Sequence, residues 1–154
     1  MLTGRVVSLH LHPDRGGDPL ISVDRIELHA DAGIVGNTRY YGRSSRRQVS
    51  LIEREQLAEH AARLGLDCIP PGAARADIET EGIALVPLAG QRIQIGTAIL
   101  EIYQPRDPCY KMDAVAPGLC NLMKPQKQGV MATIIHSGGA CCGDGIRILA
   151  PPGA

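Results

Sequence analysis

Apolar and polar positions alternate over several short stretches of the chain, and that two-residue period predicts strands. Gly4–His10 (GRVVSLH) reads as a first strand, and the Gly/Pro/Asp loop Pro13–Pro19 follows it. In VDRIELHA, from Val23, the residues Ile26, Leu28 and Ala30 recur at alternate positions, the mark of a half-buried strand. DAGIVGN supplies turn chemistry through Gly33 and Gly36. Arg47–Ile52 (RQVSLI) reads as a third strand that runs into the main helix, expected over about 51–64. Ser50 with Glu53 three residues later fits a capping box. Leu57, Ala61 and Leu64 follow at helical spacing, and Gly65 ends the helix. Beyond the loop Ile69–Ala73, strands are predicted at Ile83–Val86, Arg92–Ile95 and Ala98–Tyr103, the last two forming a hairpin around Gly96. Gln104–Leu122 reads as irregular with short helical turns, Val130–Ile135 as a strong strand, and Ile146–Leu149 as the last strand before a loose APPGA tail.

About eight short strands and one main helix make the chain mainly β. A closed or nearly closed barrel is the arrangement that best hides so many strand edges. The length of 154 residues fits a single domain over 1–154. Trp and Phe are absent and only 4 Tyr are present, so Val, Ile, Leu and Ala must fill the core.

Lys+Arg and Asp+Glu balance at 16 each, which argues against general nucleic-acid binding. No segment reaches the ~20 apolar residues of a membrane span. The N-terminal stretch lacks a signal-peptide core, so the expected location is the cytoplasm, where the 5 Cys are expected as reduced thiols.

The segment richest in chemistry is QPRDPCYKMD, Gln104–Asp113. Cys109 follows a predicted strand and stands between Arg106 and Lys111. Neighbouring cations favour the thiolate, which is both nucleophile and metal ligand. The competing reading is a small packed hydrophobe. Arg39, Arg43, Arg46 and Arg47 form the only dense basic run, and guanidinium groups bind phosphate in bidentate fashion. Within that run Arg39 follows a Gly-Asn turn and Arg46 stands at a strand entrance, so these two are the favoured anion ligands; the alternative is a solvated loop. Cys141 and Cys142 read as turn residues, because no C-x-x-C pair or familiar zinc spacing exists. His10 and His12 share a strand face, and with His136 they would hold a metal only if their strands converged. No haem, flavin or iron–sulfur motif, P-loop, Rossmann fingerprint or G-x-S-x-G elbow is present.

PRDPCYKMD followed by PGL resembles the signature of the MOSC domain, the C-terminal domain of molybdenum-cofactor sulfurases, which also occurs as small stand-alone bacterial proteins. GIVGNTRYYGRSSRRQVSLIEREQL, PGAARADIETEGIALVPLAGQRIQIGTAILEI and GVMATIIHSGGACCGDGIRI resemble further blocks of that family in the same order, together covering roughly 33–148. The resemblance implies a β-barrel. It also implies that Cys109 is the family's recurrent cysteine, as molybdenum ligand or as persulfide carrier. The cofactor-binding set it implies is Arg39, Arg46, Arg75, Asp77 and Arg106. Cys120, in PGLCNLMKP, would then be a candidate resolving thiol, against a packed loop cysteine. Two positions depart from the family's usual pattern. Asn37 stands where Asp is common, and Asp77 stands where Asn is common. An ionised Asp only accepts hydrogen bonds and repels an anionic phosphate.

The implied activity is molybdenum-dependent reduction of N-hydroxylated compounds, with electrons from an external donor. One alternative is a sulfur carrier loaded at Cys109 by a pyridoxal-phosphate-dependent cysteine desulfurase. The other is a non-catalytic module that binds a small anion.

Overall fold

Alternating branched aliphatics favour extended chain, and eleven strands form among the described residues of the computed structural model. It describes residues 2–108 and 110–149, with side chains for all of these but 2, 110 and 111. In chain order the elements are β1 (Leu2–Leu11), β2 (Ile21–Val23), β3 (Arg25–His29), β4 (Gly33–Ile34) and β5 (Val49–Glu53). The helix α1 (Arg54–Arg63) and β6 (Ile78–Glu81) follow, then β7 (Arg92–Ile95) and β8 (Ala98–Pro105). The short helix α2 (Leu119–Leu122) precedes β9 (Val130–His136), β10 (Gly138–Cys141) and β11 (Gly145–Ile148). Two 3-10 turns, Val86–Leu88 and Tyr110–Ala114, complete the set.

Strands pair in the order β11-β7-β8-β9-β5-β6-β1, and β1 pairs back onto β11, which closes a barrel of seven strands. β2 extends it beyond β1, and β10-β3-β4 form a small second sheet. The barrel interior is aliphatic, with Leu51, Ile78, Ile93, Leu100 and Ile146 each 0% exposed. A second cluster lies beneath α1 and holds Ile52, Leu57, Ala61, Met112, Leu119 and Met123. On β5 the two-residue period assigns Val49 and Leu51 to the barrel core and Ile52 to this outer cluster. No helix is long and apolar enough to cross a membrane among the described residues.

The mainly β barrel with one main helix agrees with the sequence reading, as does the hairpin, whose register runs from Arg92↔Glu101 to Ile95↔Ala98. Several local expectations are corrected. The helix begins at Arg54, and its N-cap is Glu53 without a side-chain capping bond. Ser50 is no cap, because it lies inside β5 with its hydroxyl and amide engaged by Asp77. Ile83–Val86 is not a strand. It is the turn that brings Leu85 and Leu88 to the barrel core, with Pro87 opening a 3-10 turn. The strand of that region is β6, whose Glu79 and Thr80 are both 0% exposed and so break the apolar pattern.

β5 and β6 are parallel, Leu51 lying opposite Ile78. Parallel neighbours need a crossover, and α1 supplies it. This one connection holds Ser50, at its start, beside Asp77, at its end.

Candidate functional site

Asp77 is 3% exposed and accepts from four donors: the Ser50 amide at 2.8 Å, the Ser50 hydroxyl at 3.0 Å, His12 Nδ1 at 2.9 Å and Asn37 Nδ2 at 3.2 Å. Its own amide donates to Ser50 Oγ at 3.0 Å. Asn37 Oδ1 in turn accepts the His12 amide at 2.5 Å. A buried carboxylate is tolerated only when so supplied with donors. Asn37 and Asp77, distant in sequence, therefore touch each other across one hydrogen bond.

Above this hub lies a cleft of about 430 Å³ lined by Arg39, Arg47, Arg75 and Arg106, by His12 and Tyr40, and by the apolar side chains of Ala73, Met112 and Val115. Each wall has a local cause. Gly36 adopts φ +87, and the next turn is closed by Tyr40 and Tyr41 amides donating to the Asn37 carbonyl, at 2.9 Å each. That turn presents Arg39 and Tyr40. Arg39 passes over Gly16, where a Cβ would sit 1.8 Å from its Nη1. Arg75 takes φ +61, and its carbonyl accepts from Arg106 Nη2 at 3.0 Å while the Ala74 carbonyl accepts from Nη1 at 3.1 Å. Tyr40 is the common support. Arg47 lies over its ring at 4.5 Å, Arg39 at 5.5 Å, and His12 meets it edge-on at 5.0 Å.

None of the four cleft arginines forms a salt bridge with a carboxylate among the described residues. Burial first, and then the nearby Arg47, lower the Arg106 guanidinium to about 10, against the pull of Asp77. It stays cationic at neutral pH, held against a like charge. An anion in the cleft relieves that repulsion. A larger depression of about 670 Å³ around Gly4 and Glu55 lacks this property, because its cations Arg5 and Arg54 are paired with Glu81 and Glu79.

Of the residues singled out from sequence, Arg39, Arg75 and Arg106 converge on the cleft, and Asp77 lies beneath it with its oxygens committed to protein donors. Arg46 goes elsewhere. It stacks over Tyr103 at 4.0 Å and lines a separate depression with Ser44, Ser45 and Gln48. Arg47 occupies the cleft instead, the chain turning between the two where the Gln48 amide donates to the Arg46 carbonyl at 2.8 Å. Tyr40 and Met112 are further cleft residues that local sequence does not single out, and His12, read from sequence only as a conditional metal ligand, joins them. Cys109 lies outside the described residues; in the chain it stands between Arg106 and Met112, both in the cleft wall. Cys120 is buried at 6% exposure in the cluster under α1, while Cys68, Cys141 and Cys142 are exposed free thiols. His10 Nδ1 faces the Ala76 carbonyl at 3.1 Å, His12 is tied to Asp77 and His136 is exposed. Among the described residues no three His, Cys, Asp or Glu side chains form a metal-binding group.

No match to a curated protein was found. Among solved structures, the chain is similar to the YuaD protein from Bacillus subtilis, with TM-score 0.77 and 21% identity over 96% of this chain and 98% of that one. It is also similar to YiiM from Geobacillus stearothermophilus, with TM-score 0.77 and 17% identity over 96% of this chain and 75% of that one. YiiM from Escherichia coli gives TM-score 0.70 and 19% identity over 95% and 70%. At these identities the likeness shows the shared fold. The family model for the MOSC domain matches residues 16–149, nearly the whole described chain, and the protein belongs to the MOSC domain family.

Proposed function

We propose that the arginine cleft holds the molybdenum cofactor, with Cys109 as the metal's thiolate ligand, and that the protein acts in the reduction of N-hydroxylated compounds. The observation that carries this reading is the convergence of Arg39, Arg47, Arg75 and Arg106 without a carboxylate partner among the described residues. The fit can be judged from the lining. The arginines suit the phosphate of a pterin cofactor. Tyr40, Ala73, Met112 and Val115 give apolar faces for its heterocycle, and about 430 Å³ lies within the usual range of small-molecule sites. Asp77 offers the phosphate no free carboxylate oxygen, because its oxygens accept from Ser50, His12 and Asn37, and the four cleft arginines outnumber its single charge. A thiolate at position 109 is a suitable soft donor for molybdenum.

When bound, the cofactor would supply two-electron redox chemistry. The chain's own part is to hold the anion, exclude water with Met112 and Val115, and orient the substrate beside His12. With no haem, flavin or iron–sulfur motif in the sequence, the electrons would come from a separate redox partner.

The test is metal and pterin analysis of protein made under molybdenum-replete, anaerobic conditions. The expected result is molybdenum bound by the wild type and lost in Cys109→Ser, with pterin retained more weakly. Wild-type protein without molybdenum after reconstitution refutes the cofactor reading. If mass spectrometry then shows a sulfur adduct on Cys109 after incubation with a cysteine desulfurase, the persulfide carrier replaces it.

A further inference from the structure

His12 occupies a position that the arginines do not explain. It is 2% exposed and forms part of the cleft wall, and its Nδ1 is fixed at 2.9 Å from a carboxylate oxygen of Asp77. Asp77 is itself locked by Ser50 and Asn37, and the His12 amide is held by Asn37 Oδ1. The Tyr40 ring packs against the imidazole in a T-shaped contact at 5.0 Å. A carboxylate that accepts from one ring nitrogen fixes the tautomer and leaves the other nitrogen for a ligand. The polar atom that His12 has left for an occupant of the cleft is therefore Nε2.

We infer that His12 is a proton-dependent anion ligand, so that the cleft takes up an anion and a proton together. This rests on the reading of the cleft as an anion site. The charged and titratable groups around His12 are Asp77 beneath it and Arg39, Tyr40, Arg47, Arg75 and Arg106 around the cleft. Arginine and tyrosine keep their charge across neutral pH, whereas imidazole does not. The imidazolium gives Nε2–H as a fifth cationic donor. The neutral ring with Nδ1–H on Asp77 offers only a lone pair there, which repels an anion. An anion in the cleft is bound better by the Nε2–H form than by the lone-pair form, and by linkage the anion and the proton are taken up together.

The probe is sulfate, which keeps its two negative charges across the range, so any pH dependence belongs to the protein. Calorimetry should show sulfate affinity falling about tenfold between about pH 5.5 and 8, with proton uptake near neutrality when buffers of different ionisation enthalpy are compared. His12→Gln should bind at the weaker level at every pH, and His136→Gln, an exposed histidine outside the cleft, should keep the wild-type dependence. Nitrogen-15 spectra of the wild type, which need no variant to fold, should show the His12 imidazole gaining a proton as sulfate is added. Sulfate binding that does not vary with pH, or a dependence kept in His12→Gln, overturns the inference while leaving the cleft an anion site. No sulfate binding at any pH overturns both.

Discussion

Replacing Asp77 by Ala removes the acceptor of four hydrogen bonds at once. Ser50 N, Ser50 Oγ, His12 Nδ1 and Asn37 Nδ2 converge on it within 2.8–3.2 Å, all in buried positions. Each donor left unsatisfied costs about 1–3 kcal/mol, moderated where relaxation or water finds it a partner. Removing one side of a buried charged pair costs about 3–5 kcal/mol in total. The expected loss is therefore about 4 kcal/mol, a large share of the roughly 5–15 kcal/mol of a typical domain. At roughly 2–4 °C per kcal/mol for a chain of this size, the midpoint should fall by roughly 10 °C. Asp77→Asn keeps the shape and one oxygen but turns an amide donor against existing donors, for about half that cost. Adding Asn37→Asp restores an acceptor opposite the new donor, so the double variant should recover at least about 1 kcal/mol, a coupling expected of residues in contact. Urea denaturation read by circular dichroism measures all three. An Asp77→Ala loss below about 1 kcal/mol, or strict additivity in the exchanged pair, would refute the assignment of Asp77 as the structural hub beneath the cleft.

Three further outcomes follow from the same geometry. Arg47→Ala should weaken sulfate binding by roughly 10–100-fold, the worth of a charge-assisted hydrogen bond, whereas Arg46→Ala should leave it near wild type; equal effects in calorimetry would contradict the placement of Arg47 in the cleft. Gly129 has φ +83 and a Cβ there would lie 2.0 Å from the Leu51 carbonyl oxygen, so Gly129→Ala should destabilise by about 3 kcal/mol on thermal unfolding. Glu53 has its carboxyl raised above the ordinary range, chiefly by burial, with a bond from the Leu85 amide opposing the rise. A raised folded-state value means that the native protein binds the proton more readily than the unfolded one. Its protonated form is thus favoured in acid, and stability is lost as pH rises through the folded value. Glu53→Gln should accordingly be more stable than wild type at neutral pH, with the difference shrinking as the carboxyl protonates; a gap that widens in acid would reverse the sign.

Strands were legible where apolar residues alternate, as in VDRIELHA of the second sheet, where they run together, as in VMATII of the barrel, and where Gly96 marks a hairpin. β6 was not legible, because Glu79 is buried against Arg54, at 2.7 Å, and the Gly72 amide, at 2.8 Å. A paired polar residue inside a strand erases the period on which the reading depends. β10 escaped for a different reason. Its two glycines carry no side-chain pattern, yet a Cβ at Gly138 would lie 2.5 Å from the Thr97 carbonyl carbon. In the site, Arg39 stood out in a dense basic run beside a turn, whereas Arg75 and Arg106 were reached through the resemblance of their segments to family blocks. The choice between Arg46 and Arg47 depends on which side of the chain faces the cleft, and a run of arginines does not encode that. The link between His12 and Asp77 spans 65 positions and exists only once the strands are paired.

The crossover from β5 through α1 to β6 has a kinetic consequence. Ser50 and Asp77 lie at its two ends, and β1, which leads to His12, is seamed to β11 from the far end of the chain, Leu2 lying opposite Arg147. Contacts so distant in sequence pay their loop entropy before they return any stability, and they form late. A chain with most of its hairpins in place therefore still lacks an assembled arginine cleft. Anion binding then acts as a latch on the last folding event. Sulfate should slow unfolding and leave the early folding phases untouched, so the cleft's affinity reads out whether the barrel has shut.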